Sequence, residues 1–477
     1  MSNSNSKDYV LGMIGLGTMG RNLLLNMADH GFAVSGFDLD PQKVAQLEEE
    51  ADGNNVKGFS TIVDFVGSLK SPRTIMLLVP AGKIVDSVIE ELIPLIDQGD
   101  IIIDGGNSHF TDTNRRVEDL ERQGLHFFGM GISGGEEGAR RGPSMMPGGD
   151  KAAYEVVKPI LEAISAKVDG EPCVTYIGPG ASGHFVKMVH NGIEYGIMQL
   201  IAETYEVFKK GLKLDNETIQ RTFKEWNEGK LQSYLLEITS DIFAFKDKKT
   251  GRLLVDLIKD QAKAKGTGKW TSQISMDLTL PITVIDTAVA MRDLSRFKDL
   301  RVRAAAVYSK KELNGLQSED QQAFIANLKE AFYFSMIITY AQGMHLLMQA
   351  SEEYGYGLDL AKIAKIWRGG CIIRAHFLDT IYDAFQEHSD LPHLLLDAKV
   401  ESLIQESLSD ARSIISKTIQ QGIAVPAYAA ALGYFDTLRS ESMPDNLIQA
   451  QRDFFGAHTY ELIGSEGSYH TNWEEKL

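Results

Sequence analysis

Short apolar runs and longer amphipathic stretches alternate through the first 180 residues of the chain. Residues 10–14 form a strand-sized apolar run. The pattern after them fits a helix through Met27 that Gly31 stops. Residues 32–37 read as a second strand. Asp40-Pro41 then opens another helix, with Asp at the N-cap and Pro in the first turn. Further strands fit residues 74–79, 101–104 and 126–130. Strands separated by helix-length segments predict a parallel sheet covered by helices over residues 1–180. Beyond residue 181 the strand pattern fades. Helical periodicity over 183–210, 281–297, 321–350 and 400–420 predicts a large all-α domain over residues 181–440. The tail, residues 441–477, is mixed and aromatic, with too little periodicity for a domain of its own.

Length and composition agree with this division. A chain of 477 residues, 43% hydrophobic and 24% charged, has ample core for two or three globular domains. Cys173 and Cys371 stand far apart and no C-x-x-C occurs, so neither a disulfide framework nor a zinc cluster is indicated. A cytoplasmic, reducing environment is expected. The first ten residues lack the basic start and apolar core of a signal peptide. Apolar runs such as 75–79 are strand-sized, so no membrane association is expected. The net charge of −17 argues against nucleic acid as a partner. It also requires that any anionic ligand be held by local basic residues against the overall field.

Gly15-x-Gly17-x-x-Gly20 lies between the first strand and its helix. In that context the three glycines serve a tight turn, a close approach of backbone to a pyrophosphate, and the packing of helix on strand. The helix N-terminus offers N–H groups and partial positive charge to an anion. Asp38 stands at the end of the second strand, where a ribose hydroxyl would be met. A glycine-rich turn without a ligand is the blander reading, and Asp38 weighs against it. The fold class is therefore an α/β Rossmann-type N-terminal domain, then a large all-α domain and a C-terminal tail.

Lys187, His190, Asn191 and Glu194 fall at i, i+3, i+4 and i+7 and share one face of a helix. A lysine beside a carboxylate on a partly buried face suits acid–base chemistry, because each shifts the other's proton affinity. The alternative is a solvated Lys–Glu pattern. Spacing alone leaves the two even, and His and Asn between the charges favour function. Asp104-Gly-Gly-Asn107-Ser108 and Ser133-Gly134-Gly135 close two strands, where ligands meet an α/β sheet. Lys263-Ala-Lys265-Gly-Thr267-Gly-Lys269 is a compact basic stretch suited to phosphate, though not a Walker loop. Arg452 and His458, taken alone, read as structural. No H-E-x-x-H or other metal-ligand spacing occurs, and no metal is expected.

Seven segments together resemble the 6-phosphogluconate dehydrogenase family: IGLGTMGRNL, DGGNS, SGGEEGARRGPSMMPGG, GHFVKMVHNGIEYG, KGTGKWT, QAQRDFFGAHTYE and HTNW. They run in order from residue 12 to residue 473. The resemblance implies oxidative decarboxylation of 6-phosphogluconate to ribulose 5-phosphate in the pentose phosphate pathway. It implies Lys187 as the base and Glu194 as the acid. It places Asn107, Ser133, Gly134, Gly135, His190 and Asn191 on the substrate's carboxylate and hydroxyls. Tyr195, Lys265, Thr267, Arg292 and Arg452 match its phosphate site, with His458 nearby. Gly15, Leu16, Gly17, Thr18, Met19, Gly20, Asp38, Leu39, Asp40, Val79 and Asn107 match the coenzyme site. The family also implies a homodimer whose tail brings Arg452 and His458 to the partner's site.

Two other readings remain at this point. A related β-hydroxyacid dehydrogenase acting on an unphosphorylated acid would share the glycine loop and the lysine. It would not be expected to carry KGTGK, the long second domain or the Arg452 tail. A silent NAD-binding scaffold would have no need of both Lys187 and Glu194. One departure bears on the coenzyme. NADP-dependent members follow the second strand with Asn-Arg-Thr, whose Arg pairs with the 2′-phosphate. Here Asp38-Leu39-Asp40 stand there, and Pro80 replaces a frequent Lys. NAD is therefore expected to be preferred to NADP, unless Lys43, one turn on, restores the missing cation.

Overall fold

The computed structural model describes residues 9–308, 316 and 320–473. Residues 1–8 of the predicted first domain and 474–477 of the predicted tail lie outside them. A seven-stranded sheet is built from β1 (Leu11–Ile14), β2 (Val34–Phe37), β3 (Val56–Phe59), β4 (Thr74–Leu77), β5 (Ile101–Asp104), β6 (His126–Ser133) and β7 (Ser144–Gly149), in the order β3-β2-β1-β4-β5-β6-β7. Its helices are α1 (Thr18–Asp29), α2 (Pro41–Glu50), α3 (Ile62–Gly67), α4 (Lys83–Leu92), α5 (Phe110–Glu121), α6 (Gly135–Arg141) and α7 (Lys151–Ile164). Strands β1 to β6 pair in parallel, as the alternation predicts. The expectation of an all-parallel sheet fails at one edge, where β7 runs antiparallel to β6 with Phe128 opposite Gly149 and Ser133 opposite Ser144. The seven-residue α6 is too short for a crossover, so the chain turns back beside its own strand. Strand β3 carries no sequence signal of its own, being four residues long and half-buried at the other edge.

The expected N-cap at α2 is present, with Asp40 accepting the Gln42 N–H at 3.0 Å. Past the sheet the chain is helical. The 25-residue α8 (Ser182–Glu206) leads into a π-helical turn at Val207–Gly211. Helices Thr267–Asp277, Thr283–Ser295, Gln321–Glu353, Ala398–Gln420 and Pro426–Leu438 surround it and share one large apolar core. Among the described residues no helix is long and apolar enough to cross a membrane. The tail is more regular than its sequence suggests. Helix Asp445–Gly456 packs on a hairpin of Tyr460–Leu462 and Ser465–Tyr469. Asp453 sits fully buried between them, accepting from the N–H groups of Thr459 and Thr471 and from the side chains of His470 and Trp473.

Glycine decides how α8 meets the sheet. A Cβ added to Gly131 would stand 2.4 Å from Cβ of Lys187, and one on Gly129 would stand 2.6 Å from the His184 ring. A Cβ on Gly148 would fall 2.2 Å from the Gly183 nitrogen. On Gly183 itself it would meet the carbonyls of Met146 and Gly129 at 2.3 and 2.5 Å. The first turns of α8 thus lie backbone to backbone on β6 and β7. Further along, Gly192 and Gly196 admit the methyl groups of Thr271 and Thr339. Overpacked substitutions typically cost about 1–3 kcal/mol, and backbone cannot swing aside as a side chain can. Gly183→Ala is therefore expected to destabilise the protein by at least that amount in urea unfolding. Gly433→Ala, in helix Pro426–Leu438 with open space around it, is expected to be neutral or stabilising by about 0.5–1 kcal/mol.

Candidate active site

The glycine loop separates the needs of the fold from those of a ligand. Gly15 has φ +96°, and a Cβ there would stand 2.5 Å from the Leu78 carbonyl. A Cβ on Gly20 would fall 1.9 Å from the Gly15 carbonyl. Gly17 meets nothing within 4 Å, so the fold itself does not demand glycine there. It precedes α1 with no side chain capping the helix. Open space beside uncapped N–H groups fits the pyrophosphate of a dinucleotide. Leu16 turns its side chain into the core, while Thr18 and Met19 begin the helix. Val79 lies against Gly15. Asp38 is already engaged: its carboxylate accepts the N–H groups of Leu16 at 2.8 Å and Asp40 at 3.0 Å, and Lys43 Nζ lies 3.4 Å from both oxygens. Leu39 beside it is 86% exposed.

The face of Lys187, His190, Asn191 and Glu194 is turned inward, which removes the solvated-pattern reading. Lys187 and His190 are buried, and Asn191 and Glu194 half-buried. Lys187 Nζ donates to Asn191 Oδ1 at 2.8 Å and lies 3.2 Å from His190 Nδ1. His190 Nε2 meets Ser133 Oγ at 3.1 Å. Burial pushes the Lys187 ammonium down to about 8, with Glu194 and Cys371 pulling back. Burial likewise pushes the Glu194 carboxyl up, against the pull of Lys187 and Arg292. The expected shifts are present, but desolvation is their main cause, and the mutual attraction opposes it. Burial, then the Lys187 charge, drives His190 well below its usual range, so it is a neutral imidazole here. As an ammonium Lys187 needs His190 Nδ1 as an acceptor, which places the ring proton on Nε2 toward Ser133.

The next turn of α8 forms the basic end. The Arg292 guanidinium stacks 3.5 Å over the ring of Tyr195, and a Cβ on Gly268 would meet that ring at 2.5 Å. Thr267 opens its helix after Gly266 in a left-handed turn, and Thr271 ties that helix to α8 through the Met188 carbonyl at 2.9 Å. Lys265 is exposed in the loop before it, and Asn107 is exposed after β5. Gly134 has φ +119° and packs on the Gly370 carbonyl, while Gly135 is open. Arg452 and His458 are not gathered with these groups. They lie exposed in the tail, where Arg452 donates to Gln449 on its own helix at 3.1 Å and His458 packs edge-on to Phe455.

Sequence reasoning missed the segment from Trp367 to Ile373. Its Ile372 N–H donates to Ser133 Oγ at 3.3 Å, and buried Trp367 meets the His190 ring edge-on. Tyr340 holds it in turn through the Ile373 carbonyl at 2.6 Å. The glycine pair Gly369-Gly370 between two helices was the available signal. Lys187 also has a consequence for stability. Its folded value near 8 lies below the unfolded 10.5, so between those values the unfolded chain binds more protons and stability rises with pH. Lys187→Met removes that term. Its stability gain over wild type in urea unfolding is expected to be greatest below pH 8 and to shrink as pH rises toward 10.

Comparison with known proteins draws these parts together. Residues 10–178 match the model described as the NAD binding domain of 6-phosphogluconate dehydrogenase, and residues 183–473 match that of its C-terminal domain. The NADP(+)-dependent, decarboxylating 6-phosphogluconate dehydrogenase of Bacillus subtilis is 50% identical over 463 residues, 97% of this chain and 98% of that protein. The decarboxylating enzyme of Escherichia coli K12 is 49% identical over 467 residues, 97% of this chain and 98% of that protein. The Plasmodium falciparum 6-phosphogluconate dehydrogenase, solved in apo form and in complexes with its cofactor NADP+ and its substrate 6-phosphogluconate, shares the fold with a TM-score of 0.95. It is 45% identical over 97% of this chain and all of its own. Likeness on this scale, running through the sheet, α8 and the tail alike, places the chain in the 6-phosphogluconate dehydrogenase family.

Proposed function

We propose that this chain oxidises 6-phospho-D-gluconate with a nicotinamide coenzyme and releases CO2, leaving D-ribulose 5-phosphate. The observation that carries the reading is the Lys187–Glu194 pair, a buried lysine brought down to about 8 and a carboxyl brought up, on one face of α8. The glycine loop and α1 hold the dinucleotide, which supplies a hydride acceptor. Lys187, as the amine, takes the proton of the C3 hydroxyl as hydride leaves that carbon. The ammonium then polarises the 3-keto oxygen and gives it a proton as the C1 carboxylate departs as CO2, leaving an enediol. Asn191 and His190 fix Lys187 through both changes of charge. Glu194, whose carboxyl burial pushes up, delivers a proton to the carbon that lost the carboxylate, which becomes C1 of ribulose 5-phosphate, as the enol proton returns to Lys187. Ser133, Gly134, Gly135 and Asn107 serve the carboxylate and hydroxyls. Tyr195, Lys265, Thr267 and Arg292 serve the phosphate. Their local cations offset the chain's net charge of −17.

Arg452 and His458 complete the phosphate end from a second copy of the chain. What supports this is the tail itself, whose Leu447, Ile448, Phe454, Phe455 and Ile463 are exposed on their own chain. Both cysteines are free and buried, which suits the reducing cytoplasm. NAD is the preferred coenzyme, because no guanidinium follows β2 and Leu39 cannot replace one. Lys43 favours the second reading, NADP, since its ammonium already compensates Asp38 beside the coenzyme site.

Purified protein is expected to form reduced nicotinamide and CO2 together from 6-phosphogluconate. Lys187→Ala is expected to lose at least about 10²–10⁴-fold in turnover, the usual worth of an acid–base group. Wild-type turnover in that variant would overturn the proposal. The ratio of kcat/KM for NAD over NADP is expected to exceed one and to fall after Asp38→Asn with Leu39→Arg. An initial preference for NADP would establish the Lys43 reading. Mixed dimers of Lys187→Ala and Arg452→Ala chains are expected to regain activity, because one of their sites holds both intact residues. Verified heterodimers without activity would rule out a shared site.

A further inference from the structure

Arg116 is among the largest fully buried side chains, and nothing above uses it. It lies in α5, and its guanidinium reaches two loops at once. Nε donates to Asp86 Oδ1 at 2.8 Å, and Nη2 to the Gly82 carbonyl at 3.0 Å. Nη1 lies 3.4 Å from both Asp104 Oδ2 and Ser108 Oγ. Gly82, at φ +88°, ends the loop after β4, which carries Val79, and caps α4. Asp104 ends β5 and opens the loop that carries Asn107. Its carboxylate also accepts the Gly106 N–H at 3.0 Å and the Ser108 hydroxyl at 2.6 Å. Its carbonyl lies 3.0 Å from His184 Nε2, one turn before Lys187 on α8, and His184 Nδ1 meets Thr113 Oγ1 at 2.7 Å. One cation therefore joins the β4 loop to the β5 loop and, through Asp104 and His184, to the reactive helix.

Acceptors in three directions call for a planar fork, which an ammonium on a flexible stem does not provide. Asp104 is fully buried, so the positive charge beside it is also needed. From this geometry we infer that Arg116 is a positioning residue for the reaction, setting the Val79 loop and the Asn107 loop at a fixed separation so that coenzyme and substrate meet beside Lys187. The inference rests on the coenzyme and substrate assignments proposed above. Displacement by about 1 Å is enough to cost on the order of 10²-fold in rate.

Arg116→Lys tests it, because the variant keeps the charge and loses the fork. The control is Arg115→Ala, whose half-exposed side chain touches the same Asp86 oxygen at 2.8 Å but neither loop. Reduced coenzyme is titrated by fluorescence without substrate, and kcat, both KM values and thermal unfolding are measured. Folded Arg116→Lys is expected to bind coenzyme about tenfold more weakly and to turn over about 10²-fold more slowly. Its KM for 6-phosphogluconate is expected to stay within about threefold, because the phosphate grip lies elsewhere. Arg115→Ala is expected to match wild type. A loss confined to thermal stability would overturn the inference, as would equal losses in the Arg115 variant. Should Arg116→Lys not fold, Asp86→Asn weakens the arm that aims the guanidinium at Gly82. It is expected to lower coenzyme affinity several-fold, and unchanged affinity would count against the inference. The titration needs no turnover, so a wild-type protein inactive on 6-phosphogluconate would sink the proposed reaction and still leave this result readable.

Discussion

Backbone lying on backbone is the contact on which the active site depends. Gly148 and Gly183 let the backbones of α8 and the sheet meet directly, and Gly129 and Gly131 make room on β6 for the His184 ring and the Lys187 Cβ. A helix normally stands off a sheet by the depth of its side chains. Here Gly148 and Gly183 remove that depth at the start of α8, and Lys187 is brought against the carboxyl end of β6 beside Ser133. The antiparallel β7 matters for the same reason. It widens the sheet just where α8 needs a floor, and it supplies Gly148 and the Met146 carbonyl to that floor.

Burial then produces the chemistry. A lysine in water is an ammonium at neutral pH and a poor base, whereas desolvation makes its amine accessible near pH 8. The same desolvation pushes the Glu194 carboxyl up, so one environment moves the proton affinities of both groups toward neutrality. Each also holds the other back from a larger shift. Neutral His190 sits between Lys187 and Ser133, accepting from the ammonium at Nδ1 and carrying its proton on Nε2 toward Ser133. Ser133 is fixed by the Ile372 N–H, and that segment by buried Tyr340. The site is thus a helix face pinned from the sheet on one side and from the helical domain on the other.

What the sequence made legible was local. The glycine loop, the Asp40 cap, the parallel strands and the four-residue face of α8 all follow from spacing within a few turns. Contacts between distant segments left no such trace. Nothing in the spacing marks Gly131 or Gly183 as a close contact, because the atoms they admit belong to distant elements of the chain. Arg116 looks like one charge in an ordinary amphipathic helix, and only the fold shows three acceptors converging on it. Helix Asp445–Gly456 escaped notice although Leu447, Ile448, Phe454 and Phe455 repeat at helical spacing, and on their own chain these side chains stay exposed. Its organiser, Asp453, is a buried carboxylate that periodicity would assign to the surface.

The proton affinity of Lys187 in the folded protein tests the account most directly. It can be followed by NMR with carbon-13 at the lysine Cε positions, the Lys187 signal being the one missing from Lys187→Met. Seated on glycine and desolvated, the amine is expected to titrate with a midpoint near pH 8. A midpoint near 10.5, the value of a solvated lysine, would show that α8 does not desolvate Lys187 and would contradict the account.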